Sequence, residues 1–375
     1  MAGRPGARGL STISRTWLAR APPEGIEGTE GRVTSQMAET IEQPTTALLA
    51  QPRGPLAGRL GPLRARFGAF VRRHKLAPYL LLAPALIGIA LVLLWPLVQV
   101  GIFSFQNYSL MQITGAAPTQ WVGLANFTST FTDPEFWLSL RNTLMLAIVV
   151  VPATLIVGTI VGLLLNRLGK RMAAFVSTAA LMAWATPPIS AAVLFYWLVS
   201  PDGGVVDWFL SKMPHWLVGS TNWAQYNWAT TGAFQAYVVI AVLVVWQSFP
   251  FIAVSVLAGL KTIPGELLEA ARVDGASPWR VFSKITYPLL KPIFLVLLLL
   301  SVIWDFNIFA QTYIVTGFPG NQNEYNLSTY LYDKAFASLP PSYGLGGAIA
   351  LIFALILLVI TIGYVRTSVR QGALT

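Results

Sequence analysis

The chain has 375 residues, 55% of them apolar and only 11% charged. A soluble domain carries roughly 25% charged side chains, so this chain cannot cover itself for water. Cysteine is absent and the two histidines, His74 and His215, lie far apart, which leaves no disulfide framework and no thiolate or clustered metal site to expect.

Residues 1–75 are rich in Gly, Pro, Ala, Arg and Thr, the composition of a disordered tail, and end in a basic flank from Arg64 to Lys75. They hold no continuous apolar stretch of the kind a secretory signal peptide needs, and Met37 offers an alternative start. From Lys75 to Asp133 no charged residue intervenes, and further charge-free runs cover 142–166, 172–201, 213–260 and 335–365. A membrane-crossing helix needs about 20 predominantly apolar residues. Six such spans are expected, at roughly 79–104, 139–166, 173–199, 234–258, 286–315 and 343–366. The runs are continuous rather than alternating, so helices are expected and strands are not.

Lysine and arginine set the orientation. Of the 25, all but Arg141, Lys212 and Lys334 fall in residues 1–75, the loop 167–171, the stretch 261–291 or the C-terminal tail. Both termini are therefore expected in the cytoplasm, and the net charge of +10 reads as topology rather than nucleic-acid binding. The expected external segments, about 105–138, 200–233 and 316–342, hold six tryptophans and read as an interfacial aromatic belt or a docking surface. Within them "SPDGGVVDW", Ser200 to Trp208, predicts a turn and a short helix, and "TPPIS", Thr186 to Ser190, a kink in the third span. No internal repeat is evident.

The stretch "GELLEAARVDGASPWRVFSKITYPLLKP", Gly265 to Pro292, breaks the apolar pattern. Glu266 and Glu269 suit the positive end of a helix that follows Pro264. Gly275 ends that helix, and Ser277 with Pro278 opens a second one, as N-cap and first residue. Pro288 marks entry into the next span. Two short helices lying across the cytoplasmic face are predicted.

Within it, "EAARVDGASPWRVFSKITYP" resembles the EAA motif of ATP-binding-cassette (ABC) importer permeases, the type I, binding-protein-dependent inner membrane components. Its elements here are Glu269-Ala270-Ala271, Asp274-Gly275-Ala276, Phe282, Ile285 and Pro288; Tyr287 stands where the family usually has leucine. "VGLANF" (122–127), "DPEFWLSLRNTL" (133–144) and "VWQSFPFIAVSVLAGLKTIP" (245–264) are similar to the carbohydrate-uptake branch, of maltose and glycerol phosphate type. The resemblance covers about residues 76–370.

The resemblance implies an all-α integral membrane protein of six spans, a transmembrane domain over 76–375 with the MetI-like permease fold. It implies that residues about 265–284 are coupling helices seated in a cytoplasmic ATPase. Glu269, Ala270, Ala271, Asp274, Gly275, Ala276 and Pro288 are then the ATPase-coupling residues. It implies four kinds of partner: a second, homologous permease, an ATPase dimer, an external solute-binding protein (a lipoprotein) and membrane lipid. The setting is a bacterial or archaeal plasma membrane. The chain has no G-x-x-x-x-G-K-[ST] loop, so it is not expected to be an enzyme or to bind a cofactor; ATP and magnesium belong on the ATPase.

For the solute path, Asp305 is an ionisable group inside a span, which is a functional hypothesis by default. Ser301, Trp304, Asp305 and Ile308 have the spacing of one helical face, and Val244, Ser248 and Phe251 repeat it. By position relative to the EAA motif, these seven match the sugar-contacting positions of the maltose-type permease, with Asp305 and Ile308 replacing amides. Trp304 can stack on a pyranose and Asp305 can accept from hydroxyls, or Asp305 can bond between helices. Asn307 and Gln311 are further candidates. The expected cargo is a di- or oligosaccharide; glycerol phosphate, another polar nutrient, or ion-coupled transport through Asp305 are the alternatives.

Overall fold

The structure, a computed structural model, describes residues 77–228, 231–317 and 320–370. The tail expected over 1–75 lies outside them. Contacts divide the chain into two units, Met1–Leu86 and Ile87–Thr375.

The first apolar run is helical, with α1 (Ala77–Ile89) passing through a π-turn at 90–94 into α2 (Trp95–Ser104). A two-stranded antiparallel ribbon follows, pairing Gln106 with Trp121 and Asn107 with Gln120. Next come α3 (Ala125–Thr132) and α4 (Pro134–Arg167). The start of α4 follows from local chemistry: Asp133 Oδ1 accepts from the Glu135 amide at 2.9 Å, Pro134 occupies the first turn, and Glu135 faces the positive end of the helix.

The third span is broken. α5 (Lys170–Ala185) and α6 (Pro188–Leu198) meet at 94°. Thr186 precedes Pro187 and is extended (φ −65°, ψ 130°), as a residue before proline prefers. Pro188 then starts α6, where its missing N–H is not needed. α7 (Val205–Lys212) is the short helix expected after the glycine turn, and α8 (Ala233–Leu260) is the fourth span.

α9 (Gly265–Val273) and α10 (Pro278–Val281) form the charged stretch. α10 does not stand alone, as the sequence suggested. It continues through a π-turn at 282–286 into α11 (Tyr287–Asp305), making one 28-residue span, Pro278–Asp305. The predicted span 286–315 is correspondingly cut short. α11 ends at Asp305, and the chain is non-helical around Ile308 (φ −85°, ψ 64°) before α12 (Phe309–Val315). α13 (Leu327–Tyr332) and α14 (Tyr343–Arg370) complete the chain. Among the described residues, five helices are long and apolar enough to cross a membrane, and the bent α5–α6 pair makes a sixth.

α4 and α8 form the closest helix pair and run in the same direction. Gly158 and Gly162 of α4, spaced G-x-x-x-G, face Ile252 and Val256 of α8. Small residues let backbones approach where lipid supplies no hydrophobic drive between helices. One cluster joins α4, α6 and α8 through Leu146, Val150, Ala192, Ile240 and Leu243. A second joins α4, α13 and α14 through Phe136, Leu327, Tyr330 and Ile349. A third seats α11 on α8 through Ile252, Val256, Leu290 and Leu297.

The starts of α4 and α14 and the end of α2 share one face of the structure. There Asn126 Nδ2 donates to the carbonyls of Ser104 and Gln106 at 2.9 and 3.0 Å. Lys334 Nζ lies 2.8 Å from Glu135 Oε2 and 3.2 Å from Asp133 Oδ2, and the Tyr330 hydroxyl donates to Asp133 Oδ2 at 2.9 Å. Burial alone would raise the Asp133 carboxyl. The Glu135 amide, the Tyr330 hydroxyl and the Lys334 ammonium outweigh it and hold the pKa below its ordinary 3.8. Burial would lower Lys334, but the Glu135 and Asp133 carboxylates carry it above 10.5. Elsewhere on this face, burial raises the carboxyls of Asp207 and Glu324. Asp207 accepts from Trp228 Nε1 at 2.7 Å, which fastens the tryptophan-rich segment after α7.

Candidate functional site

The two broken helices pack together beside α8, and a cavity of about 1010 Å³ opens at their breaks. At both breaks a side-chain amide donates to a backbone carbonyl. Gln247 Nε2 donates to the Thr186 carbonyl at 2.8 Å, at the bend of α5–α6. Its Oε1 accepts from Gln311 Nε2 of α12 at 3.3 Å, so one side chain ties both breaks to α8. At the second break, Asn326 Nδ2 donates to the Ile308 carbonyl at 2.7 Å and to Thr312 Oγ1 at 2.8 Å. Asn326 Oδ1 caps α13 by accepting from the Thr329 amide at 2.9 Å.

Of the seven residues expected on the solute path, Val244, Ser248, Trp304, Asp305 and Ile308 line this cavity. Ile308 does so for a different reason from the one expected. It lies beyond the end of α11 and is brought to the wall by the break, not by helical spacing. Ser301 is buried within α11 and is not part of the lining. Phe251 sits behind the wall, stacked on Trp184 with ring centroids 5.3 Å apart and meeting Trp304 edge-on at 5.3 Å. Asn307 and Gln311 also line the cavity.

Asp305 is only 4% exposed, and its Oδ2 has no hydrogen-bond partner among the described residues. Among the described residues, no lysine, arginine or histidine lines the cavity. Trp304, 41% exposed, presents an aromatic face beside this carboxylate. Such a wall can accept hydrogen bonds and stack on a flat, partly apolar ring. Sequence reasoning missed Gln247, Asn326 and the role of Asn142, whose Nδ2 donates to the carbonyls of Asn323 and Tyr325 at 3.0 Å each. For Gln247 the available signal was a lone amide inside an apolar run; Asn326 lies in the polar stretch 320–329 and Asn142 follows Arg141, so neither stands out.

At the end of the structure carrying the C-termini of α4 and α8, α9 closes with a paired turn. The Ala276 amide donates to the Ala271 carbonyl at 2.9 Å and the Gly275 amide to the Arg272 carbonyl at 3.0 Å. This pattern requires a left-handed residue, and Gly275 supplies it at φ +76°. Ser277 Oγ accepts from the Arg280 amide at 3.3 Å, the expected cap of α10. Glu269, Ala270, Asp274, Gly275 and Pro288 are exposed, while Ala271 and Ala276 are half-buried. Val273 and Trp279, 87% and 74% exposed, leave an apolar surface beside the acidic one. Leu268 anchors α9 to the cluster under α8 and α11.

Residues 154–371 match the family described as the binding-protein-dependent transport system inner membrane component. The chain belongs to this family of ABC transporter permeases. The permease is 38% identical over 314 residues to the diacetylchitobiose uptake system permease protein DasB of Streptomyces coelicolor, covering 84% of this chain and 92% of that one. It is 32% identical over 296 residues to the sulfoquinovosyl glycerol transport system permease protein SmoG of Agrobacterium fabrum, covering 78% and 90%. Its fold is that of a chain in the crystal structure of a bacterial ABC transporter importing the acidic polysaccharide alginate. The TM-score is 0.66 at 22% identity, over 81% of this chain and 99% of that one. The permease is therefore a multi-pass membrane protein of a family whose members are not themselves enzymes, and the ion-coupled alternative falls away.

Proposed function

We propose that the permease forms half of the translocation path of an ATP-driven importer for an uncharged di- or oligosaccharide. The observation that carries this reading is the cavity wall, with Trp304 beside the unpartnered carboxylate of Asp305 and no cation in the lining. Hydroxyl pairs suit a lone acceptor, and a pyranose face suits an indole. The names of the relatives, for diacetylchitobiose and sulfoquinovosyl glycerol, support a carbohydrate.

In this reading a second permease completes the path, and an external solute-binding protein delivers the sugar. A separate ATPase dimer binds ATP and magnesium and receives Glu269, Ala270, Ala271, Asp274, Gly275 and Ala276. Because α10 is continuous with α11, movement of this segment carries directly into the span that bears Asp305. The membrane is a bacterial or archaeal plasma membrane with both termini in the cytoplasm.

The test is uptake by the assembled complex. Asp305→Ala and Trp304→Ala should lower sugar capture while binding-protein-stimulated ATP hydrolysis persists. A hydrogen bond to a charged group contributes roughly 1.5–3 kcal/mol, so loss of Asp305 should weaken capture about tenfold or more. Wild-type uptake by both variants at limiting sugar would overturn the assignment.

A further inference from the structure

One row of aromatic side chains runs from the cavity wall toward the surface. α12 presents Phe309 and Tyr313, four residues apart. α13 and the π-turn that follows it present Tyr332 and Phe336, also four apart. The rings are contiguous. Phe309 lies 5.1 Å from Tyr332 between centroids, Tyr313 lies 5.7 Å from Tyr332, and Tyr332 lies 5.5 Å from Phe336. Phe336 is followed by Tyr343 at 5.7 Å. Phe309 and Tyr332 line the cavity. Phe336 is 54% exposed and sits two residues from Lys334, which pairs with Asp133 at the start of α4. The row thus leads from the face carrying the starts of α4 and α14 into the cavity.

The core side of α13 is filled by Leu327 and Tyr330, both fully buried. The rings of the row are half-buried, and Phe336 at its end is exposed. An aromatic face is electron-rich and flat, and it attracts the apolar, slightly positive C–H face of a pyranose without fixing its hydroxyls. Several weak, similar contacts in series favour passage, because each is strong enough to be entered and weak enough to be left.

We propose that Phe309, Tyr313, Tyr332, Phe336 and Tyr343 form an entry track along which pyranose rings step from the delivering protein to the cavity. The proposal rests on the carbohydrate reading above and adds the route and the groups that make it.

The experiment uses the complete complex in proteoliposomes, with its solute-binding protein. The probe is whichever of radiolabelled diacetylchitobiose, trehalose or maltose the wild type imports. Phe336→Leu keeps apolar bulk and removes the flat face; Phe336→Trp keeps the face; Leu339→Ala removes a 93% exposed apolar side chain nearby that is not in the row. Phe336→Leu should raise the half-saturating sugar concentration roughly fivefold, the worth of one aromatic contact. Its maximal uptake rate and ATP hydrolysis should be unchanged. Phe336→Trp and Leu339→Ala should behave as wild type. An unaltered half-saturation in Phe336→Leu, or a parallel loss of maximal rate and ATP hydrolysis, overturns the track. If the wild type imports none of the three sugars while its binding protein still stimulates ATP hydrolysis, the carbohydrate reading fails, and the track with it.

Discussion

A single methyl group tests how α4 meets α8. A Cβ added at Gly158 would stand 2.5 Å from Ile252 Cβ, 2.6 Å from its Cγ2 and 3.0 Å from the Phe249 carbonyl oxygen. Non-bonded carbons rest at about 3.5–4.0 Å, so the two helices must part by about 1 Å. Ile252 Cβ is bonded to its own backbone and cannot swing aside. Overpacking of this kind costs about 1–3 kcal/mol. Alanine returns about 1 kcal/mol of helix propensity, which leaves a net loss of roughly 0–2 kcal/mol, centred near 1. Gly363 of α14 is the control, since an added Cβ there meets nothing within 4 Å. The assay is retention of monodisperse complex after heating in detergent. Gly158→Ala should lose a few degrees, roughly 2–4 °C, whereas Gly363→Ala should hold or gain. Adding Ile252→Gly to Gly158→Ala removes that Cβ and should give a non-additive recovery. If Gly158→Ala and Gly363→Ala melt together at or above wild type, the close approach of α4 and α8 is wrong.

Gln247→Leu should destabilise by about 1–3 kcal/mol, because the Thr186 carbonyl and Gln311 lose their partner in a buried setting; the same heating assay reads it. Lys334→Met should cost about 1 kcal/mol, since its two ion pairs are partly exposed. The stability linked to the depressed Asp133 is present above 3.8 and lost only as pH falls through its lower folded value. That linked to the raised Lys334 is present below 10.5 and lost as pH rises through its higher one. The wild-type-to-variant difference should therefore stay flat between roughly pH 5 and pH 9, and a slope there would contradict the pairing. Gly275→Trp should insert but uncouple ATP hydrolysis from uptake. A left-handed position strains any β-carbon by roughly 1–2 kcal/mol, and the indole would stand at the exposed turn between α9 and α10. Normal uptake at normal membrane levels would remove the coupling role.

What was legible in the sequence was mostly local. Pro187-Pro188, Gly275 and Ser277-Pro278 each act on backbone within about four residues, and each marks a boundary the structure contains; Asp133-Pro134 acts the same way, although the span was expected to begin at 139. The spans were legible because apolar length is a property of each segment by itself. The end of α11 was not. Residues 305–308 read Asp-Phe-Asn-Ile, with neither proline nor glycine, and the break is held by Asn326, 18 residues further on. No local rule reports a carbonyl that will be taken up from another helix. The same limit explains why Ile308 was placed on a helical face that stops three residues earlier. Gly158 and Gly162 carried a small-x-x-x-small signal, but the facing partner, α8, is nearly a hundred residues away.

The position of the cavity follows from the way the two breaks are satisfied. Irregular backbone at membrane depth persists only where protein buries it or where it borders a cavity, because lipid offers no hydrogen bonds. Here the bend after Ala185 and the break after Asp305 both lie against α8, and Gln247 reaches both. Asn326 closes the second break and caps α13 with the same side chain. These amides are committed to architecture, so substituting them should disturb fold and transport together. Asp305 differs from them. It is as deeply buried as Gln247, yet its Oδ2 meets no donor. Burying such a group without a partner costs several kcal/mol, and the fold gains no tie from it in return. An acceptor kept at that cost on the wall of a cavity, beside an indole face, is the group that a hydroxyl-bearing solute would satisfy, and this separates Asp305 from the amides that merely hold the wall in place.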